Sequence, residues 1–305
     1  MHLSVITSVH QLPNLQILDK FYEKVKKEIQ KNNINDYEVI FVIDEDSDIS
    51  FNYLLELKEK NTNIKIINLT RNFGHHEALL TGIEHSNGEL IFVIDSDLEE
   101  DPAVFSDFFE KISETNIELV IGYQDSRKGN IFEKISGGIA YFYINKILKI
   151  KYPKNPTTAS LMTKKFKNAL LLHKEKNINY VGLLKITGFN QKLVSVEKKS
   201  ISKSTYTFRK KINHLVNISF AYSDTSYSLI FYISVINFIF SSIYVLYLVF
   251  KYFSNNIVDG YTSLIVSIWF FSSVIILLLG IVSFYLKLIL KETKSRPSTI
   301  IKEIA

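Results

Sequence analysis

The sequence predicts an α/β domain built on a largely parallel sheet, joined to two membrane-spanning helices. Two observations carry this expectation. Short apolar runs rich in Val and Ile alternate with amphipathic stretches through residues 1–125. Two charge-free runs, 225–250 and 260–286, then occupy most of the last third. A mean hydropathy of +0.09 beside 22% charged residues is the average of these two unlike parts.

The elements follow in order. Strand signals are LSVITS (3–8), YEVIFVID (37–44), IKIINLT (64–70), ELIFVIDSD (89–97) and IELVIGY (117–123). Helical stretches lie between them at 14–31, 50–60, 75–86 and 102–114. The opening MHLSVITSVHQLPNLQ has no basic segment before its apolar residues, so it reads as a strand and loop rather than a signal peptide. Residues 203–220 mix Arg209, Lys210 and Lys211 with Phe208, Ile212, Leu215, Val216 and Ile218 at near-helical spacing. That mixture suits a helix lying in the membrane interface, although a domain-packing helix would look similar. The charge-free runs exceed the ~20 residues that span a hydrocarbon core. A soluble core helix of that length would normally carry a polar stripe.

The expected organisation is a domain over 1–203, an interfacial region over 204–226, and a span over 227–252. A short loop (253–260), a second span (261–286) and a basic tail (287–305) complete it. The tail carries Lys287, Lys291, Lys294, Arg296 and Lys302, whereas the loop carries Lys251 at its edge and Asp259. The positive-inside rule then puts the tail and the large domain on the cytoplasmic side.

Composition excludes several classes. The chain has no cysteine, so disulfide scaffolds, thiolate metal sites and thiol nucleophiles are absent. The net charge of +5 is no nucleic-acid signal. Of 36 Lys+Arg and 31 Asp+Glu in all, residues 1–226 hold 30 and 28, which leaves 6 and 3, or +3, for the membrane part.

In a parallel α/β sheet, ligands bind at the C-terminal strand ends. Polar residues cluster there. Asp95-Ser96-Asp97-Leu98-Glu99-Glu100-Asp101-Pro102 follows LIFVI. Carboxylates so crowded repel one another unless a cation neutralises them, and their oxygens suit Mg²⁺ or Mn²⁺. The same acids could instead cap a helix that starts near Pro102. Asp44-Glu45-Asp46-Ser47-Asp48 could bond a nucleobase or ribose, or form an acidic turn capping the next helix. In Thr70-Arg71-Asn72-Phe73-Gly74-His75-His76, Arg71 can face a phosphate and Gly74 permits a tight turn. Adjacent histidines on a helix point about 100° apart, so His75 and His76 read as helix-start polar residues rather than paired metal ligands.

Together these residues resemble the family 2 glycosyltransferases of the GT-A fold, and more narrowly the polyprenyl-phosphate glycosyltransferases related to dolichol-phosphate mannose synthase. Asp44-Glu45-Asp46-Ser47 is similar to the family's D-D-G-S, and Arg71-Asn72-Phe73-Gly74 matches R-N-F-G. Residues 95–102 resemble D-A-D-L-Q-D-P-P. Ser204-Thr205-Tyr206 resembles an S-K-Y before membrane-proximal helices, and Tyr285-Leu286 with Glu292 to Pro297 resembles the family's tail. The P-x-Y-N-E opening is replaced by Thr7-Ser8-Val9-His10-Gln11.

The resemblance implies a GT-A Rossmann-like mixed-sheet domain, followed by interfacial helices and two transmembrane α-helices. It implies inverting transfer of a sugar from a UDP-, GDP- or dTDP-linked donor to a polyprenyl phosphate, for cell-surface glycan assembly. It implies that Asp44 contacts the base, with Asp46 and Arg71 in the nucleotide-sugar site and Asp95 near ribose and metal. Asp95, Asp97 and Glu99 would hold the divalent cation. Arg127 would belong to the acceptor loop, and Lys198, Lys199 and Ser204 would meet the acceptor phosphate. Asp95, Asp97 and Arg127 would carry catalysis. Thirty-two Lys against four Arg suggest low-GC bacterial coding, hence undecaprenyl phosphate as acceptor and a multi-pass place in the bacterial inner membrane. A homo-oligomer is compatible with the sequence. The rival functions are transfer to a lipid-diphosphate-linked glycan and a non-catalytic assembly partner. A processive synthase is disfavoured, because the only Trp, Trp269, lies in the second span and no Q-x-x-R-W exists.

Overall fold

A computed structural model describes residues 1–124, 155–173, 179–198 and 297–305, with isolated helical positions between 239 and 293. Eight strands form one mixed sheet: β1 (His2–Val9), β2 (Asp36–Ile43), β3 (Ile64–Leu69), β4 (Leu90–Val93), β5 (Leu119–Tyr123), β6 (Pro156–Thr163), β7 (Gln191–Ser195) and β8 (Ile301–Ile304). Their spatial order is β7-β5-β6-β4-β1-β2-β3-β8. The centre, β4-β1-β2-β3, is parallel. Strand β6 runs antiparallel to both β4 and β5, and β8 runs antiparallel to β3.

The helices are α1 (Gln16–Lys31), α2 (Asp48–Lys60), α3 (His75–Glu84), α4 (Val104–Ile112), α5 (Lys164–Leu170) and α6 (Tyr180–Ile186). They cover both faces of the sheet, which is why buried apolar residues run consecutively through Val39–Ile43 of β2 and Leu90–Val93 of β4 rather than at alternate positions. On β2, Val39, Phe41 and Ile43 pack with α1, α2 and α4, among Phe21, Leu54 and Phe105. Ile40 and Val42 point to the other face, into the cluster that holds Ala78, Leu79 and Ile83 of α3. Helix α3 lies close on the sheet because position 82 is glycine. A Cβ there would come 2.5 Å from Ile6 Cγ2.

The sequence expectation of strands and helices through residue 123 holds, with boundaries within a few residues. Other features go beyond it. Strands β6 and β7 and helices α5 and α6 carry no sequence expectation. The tail is a further difference. Instead of ending as a free basic segment, it adds β8 to the sheet, with Ala305 and Ile66 exchanging backbone hydrogen bonds of 2.9 and 2.8 Å. Thr299 Oγ1 also bonds Thr81 Oγ1 on α3 at 2.8 Å.

Among the described residues, no helix is long and apolar enough to cross a membrane. The two expected spans and the interfacial segment lie almost wholly outside the described residues. Among the helical positions described there, Leu264, Ile268, Ile275, Leu279, Val282, Leu286 and Ile289 are 53–60% exposed.

Candidate active site

The register of the parallel strands brings the polar clusters together. Ser8 pairs with Val42 and Ile6 with Val93, so the ends of β1, β2 and β4 stand side by side. The residues just beyond them are His10, Asp44 and Asp95. Arg71 and Gly74 follow from the end of the adjacent β3.

Asp44 is 1% exposed. Its Oδ1 accepts the Phe73 N–H at 2.7 Å, and Oδ2 accepts the Gly74 N–H at 3.0 Å. Burial pushes its carboxyl up, while these two N–H groups pull the other way. The carboxylate therefore organises the turn from β3 into α3. Gly74 sits in that turn at φ 111°, a conformation that disfavours any side chain. Glu45 is also committed: Oε2 accepts the Gln11 N–H at 2.9 Å and Oε1 accepts the Ser50 hydroxyl at 2.6 Å. Of this acidic run, Asp46 is the one that is both exposed and close to the strand end. Arg71 is exposed, with its guanidinium 4.0 Å from the Phe73 ring centroid and donating to Asn72 O. His10 Nδ1 lies 3.0 Å from Asp44 O.

The second half of the site is the acidic turn after β4. Asp97 Oδ1 accepts the Glu99 N–H at 2.9 Å, and Leu98 between them has φ 58°. A leucine in the left-handed region is strained, and the turn holds it there. Burial raises the Asp97 carboxyl, with the Asp95 and Glu99 charges adding to it. Ser96 faces away, its hydroxyl donating to Ser8 O at 2.9 Å. Asp95 Oδ1 is buried without a hydrogen bond. His75 Nε2 is 3.4 Å away, and His75 Nδ1 lies 2.7 Å from Ser8 Oγ.

Behind the turn, Glu100 is fully buried. Its Oε2 accepts the Ala159 N–H at 3.2 Å, and its backbone forms an isolated bridge to Lys198. Lys198 Nζ reaches Glu99 at 3.1 Å and Glu100 at 3.9 Å. Burial disfavours the ammonium, but Glu100, Asp95 and Glu99 outweigh it and raise its pKa.

Thus Asp44, Asp46, Arg71, Asp95, Asp97, Glu99 and Lys198 gather at one end of the sheet. Arg127, Lys199 and Ser204 lie outside the described residues. Among the described residues, no three His, Asp or Glu side chains already converge as a metal cage. The donors present nevertheless suit a hard cation. Asp95 offers a buried carboxylate oxygen with no hydrogen bond, and Mg²⁺-type sites commonly use one or two carboxylates completed by substrate phosphates. Sequence reasoning missed Glu100 and the contacts of His75. Glu100 sat in plain view as a further acid of the D-x-D run. His75 is correctly at a helix start, but its neighbour comes from a strand twenty residues away in sequence.

Comparison with known proteins agrees with this geometry. Residues 4–170 match the family model described as glycosyl transferase family 2. A Mycobacterium tuberculosis protein described under glycosyltransferases is 36% identical, over 100% of this chain and 88% of that protein. An Escherichia coli K12 protein named prophage bactoprenol glucosyl transferase homolog is 26% identical, over 93% of this chain and 94% of its own length. Among solved structures, the mannosyltransferase PcManGT of Pyrobaculum calidifontis, in complex with GDP-Man and Mn²⁺, superposes with a TM-score of 0.50. It covers 71% of this chain and 62% of that one, at 12% identity, and so shares the fold.

Proposed function

The chain belongs to glycosyl transferase family 2, and from that premise we propose that it is a membrane-bound inverting enzyme moving a sugar from a nucleotide sugar to a polyprenyl phosphate. The observation that carries this reading is the pairing of the acidic turn 95–99 with Lys198 at the mouth of the sheet. An anionic turn beside a fixed ammonium suits two phosphate-bearing substrates that must meet despite their charge.

The chemistry asks little of a general base. A phosphate oxyanion is already a competent nucleophile at neutral pH, and in-line attack at C1 would invert that centre. The hard step is stabilising the departing diphosphate. Asp95, Asp97 and Glu99 would hold a divalent cation, Mg²⁺ or Mn²⁺, which when bound supplies charge neutralisation there. Arg71, exposed and stacked on Phe73, adds cationic charge at the β3 end. Asp46 would meet the base or ribose, a reading supported by both oxygens of Asp44 holding the turn. Lys198, with Arg127, Lys199 and Ser204, would receive the acceptor phosphate.

Two observations support the membrane part. The similarity to the bactoprenol glucosyl transferase homolog runs through 93% of the chain, well beyond the residues that match the family model. The exposed helical positions Leu264, Ile268, Ile275, Leu279, Val282, Leu286 and Ile289 recur every three or four residues, or twice that. In water such a stripe is an aggregation liability, whereas in lipid it is solvated. The acceptor would be undecaprenyl phosphate in a bacterial inner membrane.

The test is direct. Detergent-solubilised protein with Mn²⁺ is given radiolabelled UDP-, GDP- and dTDP-sugars and undecaprenyl phosphate, and label is followed into the lipid phase. Transfer from one donor, lost in Asp97→Ala at matched protein level, is expected. Label that enters only with a lipid-diphosphate-linked glycan as acceptor would replace this reading with the extending transferase.

A further inference from the structure

We propose that His75 is a positioning residue for Asp95, and that Ser8 sets its orientation. The inference rests on the transferase reading above and names what aims one of its carboxylates.

Four contacts form a closed ring across three elements. Ser96 Oγ donates to Ser8 O at 2.9 Å, which ties the end of β4 to the end of β1. Ser8 Oγ lies 2.7 Å from His75 Nδ1, which ties β1 to the first residue of α3. His75 Nε2 faces Asp95 Oδ1 at 3.4 Å. The peptide link between Asp95 and Ser96 closes the ring.

The residue types fit the task. Imidazole is a rigid ring with two distinct heteroatoms, so one end can be held while the other faces a carboxylate. The hydroxyl of Ser8, a buried residue, gives Nδ1 a partner and leaves Nε2 to face Asp95. Asp95 Oδ1 has no hydrogen bond of its own. Nothing hydrogen-bonded thus fixes that oxygen, and the imidazole Nε2 faces it at 3.4 Å. A carboxylate at a metal or phosphate site is commonly aimed by such an outer partner, whose loss costs roughly 10- to 100-fold in affinity. Helix α3 supplies the anchor: its buried residues, Ala78, Leu79, Gly82 and Ile83, are packed on the sheet, so His75 cannot drift independently of the strands.

The experiment uses the full-length protein in detergent and measures calorimetric binding of Mn²⁺ with UDP, GDP and dTDP in turn. His75→Phe keeps a ring but removes Nε2, and should weaken Mn²⁺–nucleotide binding about 10-fold, with the ligand-free Tm unchanged. His75→Gln places an amide nitrogen near Nε2 and should recover most of the loss. Ser8→Ala, which frees the ring, should fall between. On an Asp95→Asn background, His75→Phe should have no further effect. The proposal is overturned if His75→Phe binds as tightly as wild type, or if its loss simply adds to that of Asp95→Asn. If wild-type protein binds none of the three nucleotides, the transferase reading itself falls and this inference falls with it, an outcome distinct from both.

Discussion

Lys198 Nζ lies 3.1 Å from Glu99 Oε2, so the cation expected at the acceptor phosphate is also a counter-ion of the acidic turn. This dual position makes opposite predictions for two ligands. Lys198→Met removes a positive charge from a site meant for a divalent cation. The Mn²⁺ concentration for half-maximal activity should therefore fall, by about 3-fold, since 1.4 kcal/mol is tenfold and the pair is partly solvated. The KM for undecaprenyl phosphate should rise over the same comparison. Steady-state kinetics varying each ligand separately checks both signs, and movement of both in the same direction would refute the shared position.

Glu100 gives a pH dependence. Burial first, then the charges of Asp95 and Asp97, push its carboxyl up to about 8, with Lys198 and the Ala159 N–H opposing them. Unfolded, the group titrates at its ordinary value of 4.5. Between about 4.5 and 8 the unfolded chain gives up a proton that the folded chain keeps, so stability falls as pH rises through that window. Glu100→Gln cannot ionise, yet its carbonyl can still accept from Ala159. Its Tm in EDTA should match wild type near pH 4.5 and exceed it by a few degrees at pH 8, where about 1 kcal/mol corresponds to roughly 2–4 °C. A difference that does not grow with pH would show that Glu100 is not the group responsible.

These two groups mark the limit of what the sequence could say. Strands β1 to β5 were legible because each carries a short segment dense in buried Val, Ile, Leu or Phe. Strand β6, PTTASLMT, is as buried at its centre but satisfies it with Ser160 against the Tyr180 hydroxyl, so no apolar run announces it. Strand β8 is four residues long and pairs with a strand more than 230 residues earlier, which leaves no local signal. The site residues themselves were legible as polar clusters after strands. Their partners were not. That Asp44 would spend its oxygens on Phe73 and Gly74, or that His75 would meet Asp95, follows only from which strand ends the sheet order sets together.

Asp44 should therefore behave as a structural residue first. Asp44→Ala leaves two N–H groups without acceptors, and at about 1–3 kcal/mol for each unpaired donor the domain should lose several degrees in Tm. Asp44→Asn retains one carbonyl and should lose about half as much. Amide exchange at Phe73 and Gly74 should quicken in the same order. A variant that loses nucleotide binding while keeping both exchange rates would return Asp44 to direct base contact.

The last prediction concerns topology, and it follows from β8. Strand β8 lies in the same sheet as β1 to β7, so any membrane crossing between β7 and β8 must be matched by a crossing back. Two spans satisfy this condition, and one or three do not. The chain contains no cysteine, so single-cysteine reporters need no background removal. A cysteine at Glu303, which is exposed on β8, and one at Lys60, at the end of α2, should react with a membrane-impermeant maleimide from the same side. A cysteine at Asn255, in the loop expected between the spans, should react only from the opposite side. Labelling of Asn255 from the side that labels Lys60 would mean that the apolar segments do not cross, and the exposed stripe from Leu264 to Ile289 would then need a protein partner instead of lipid.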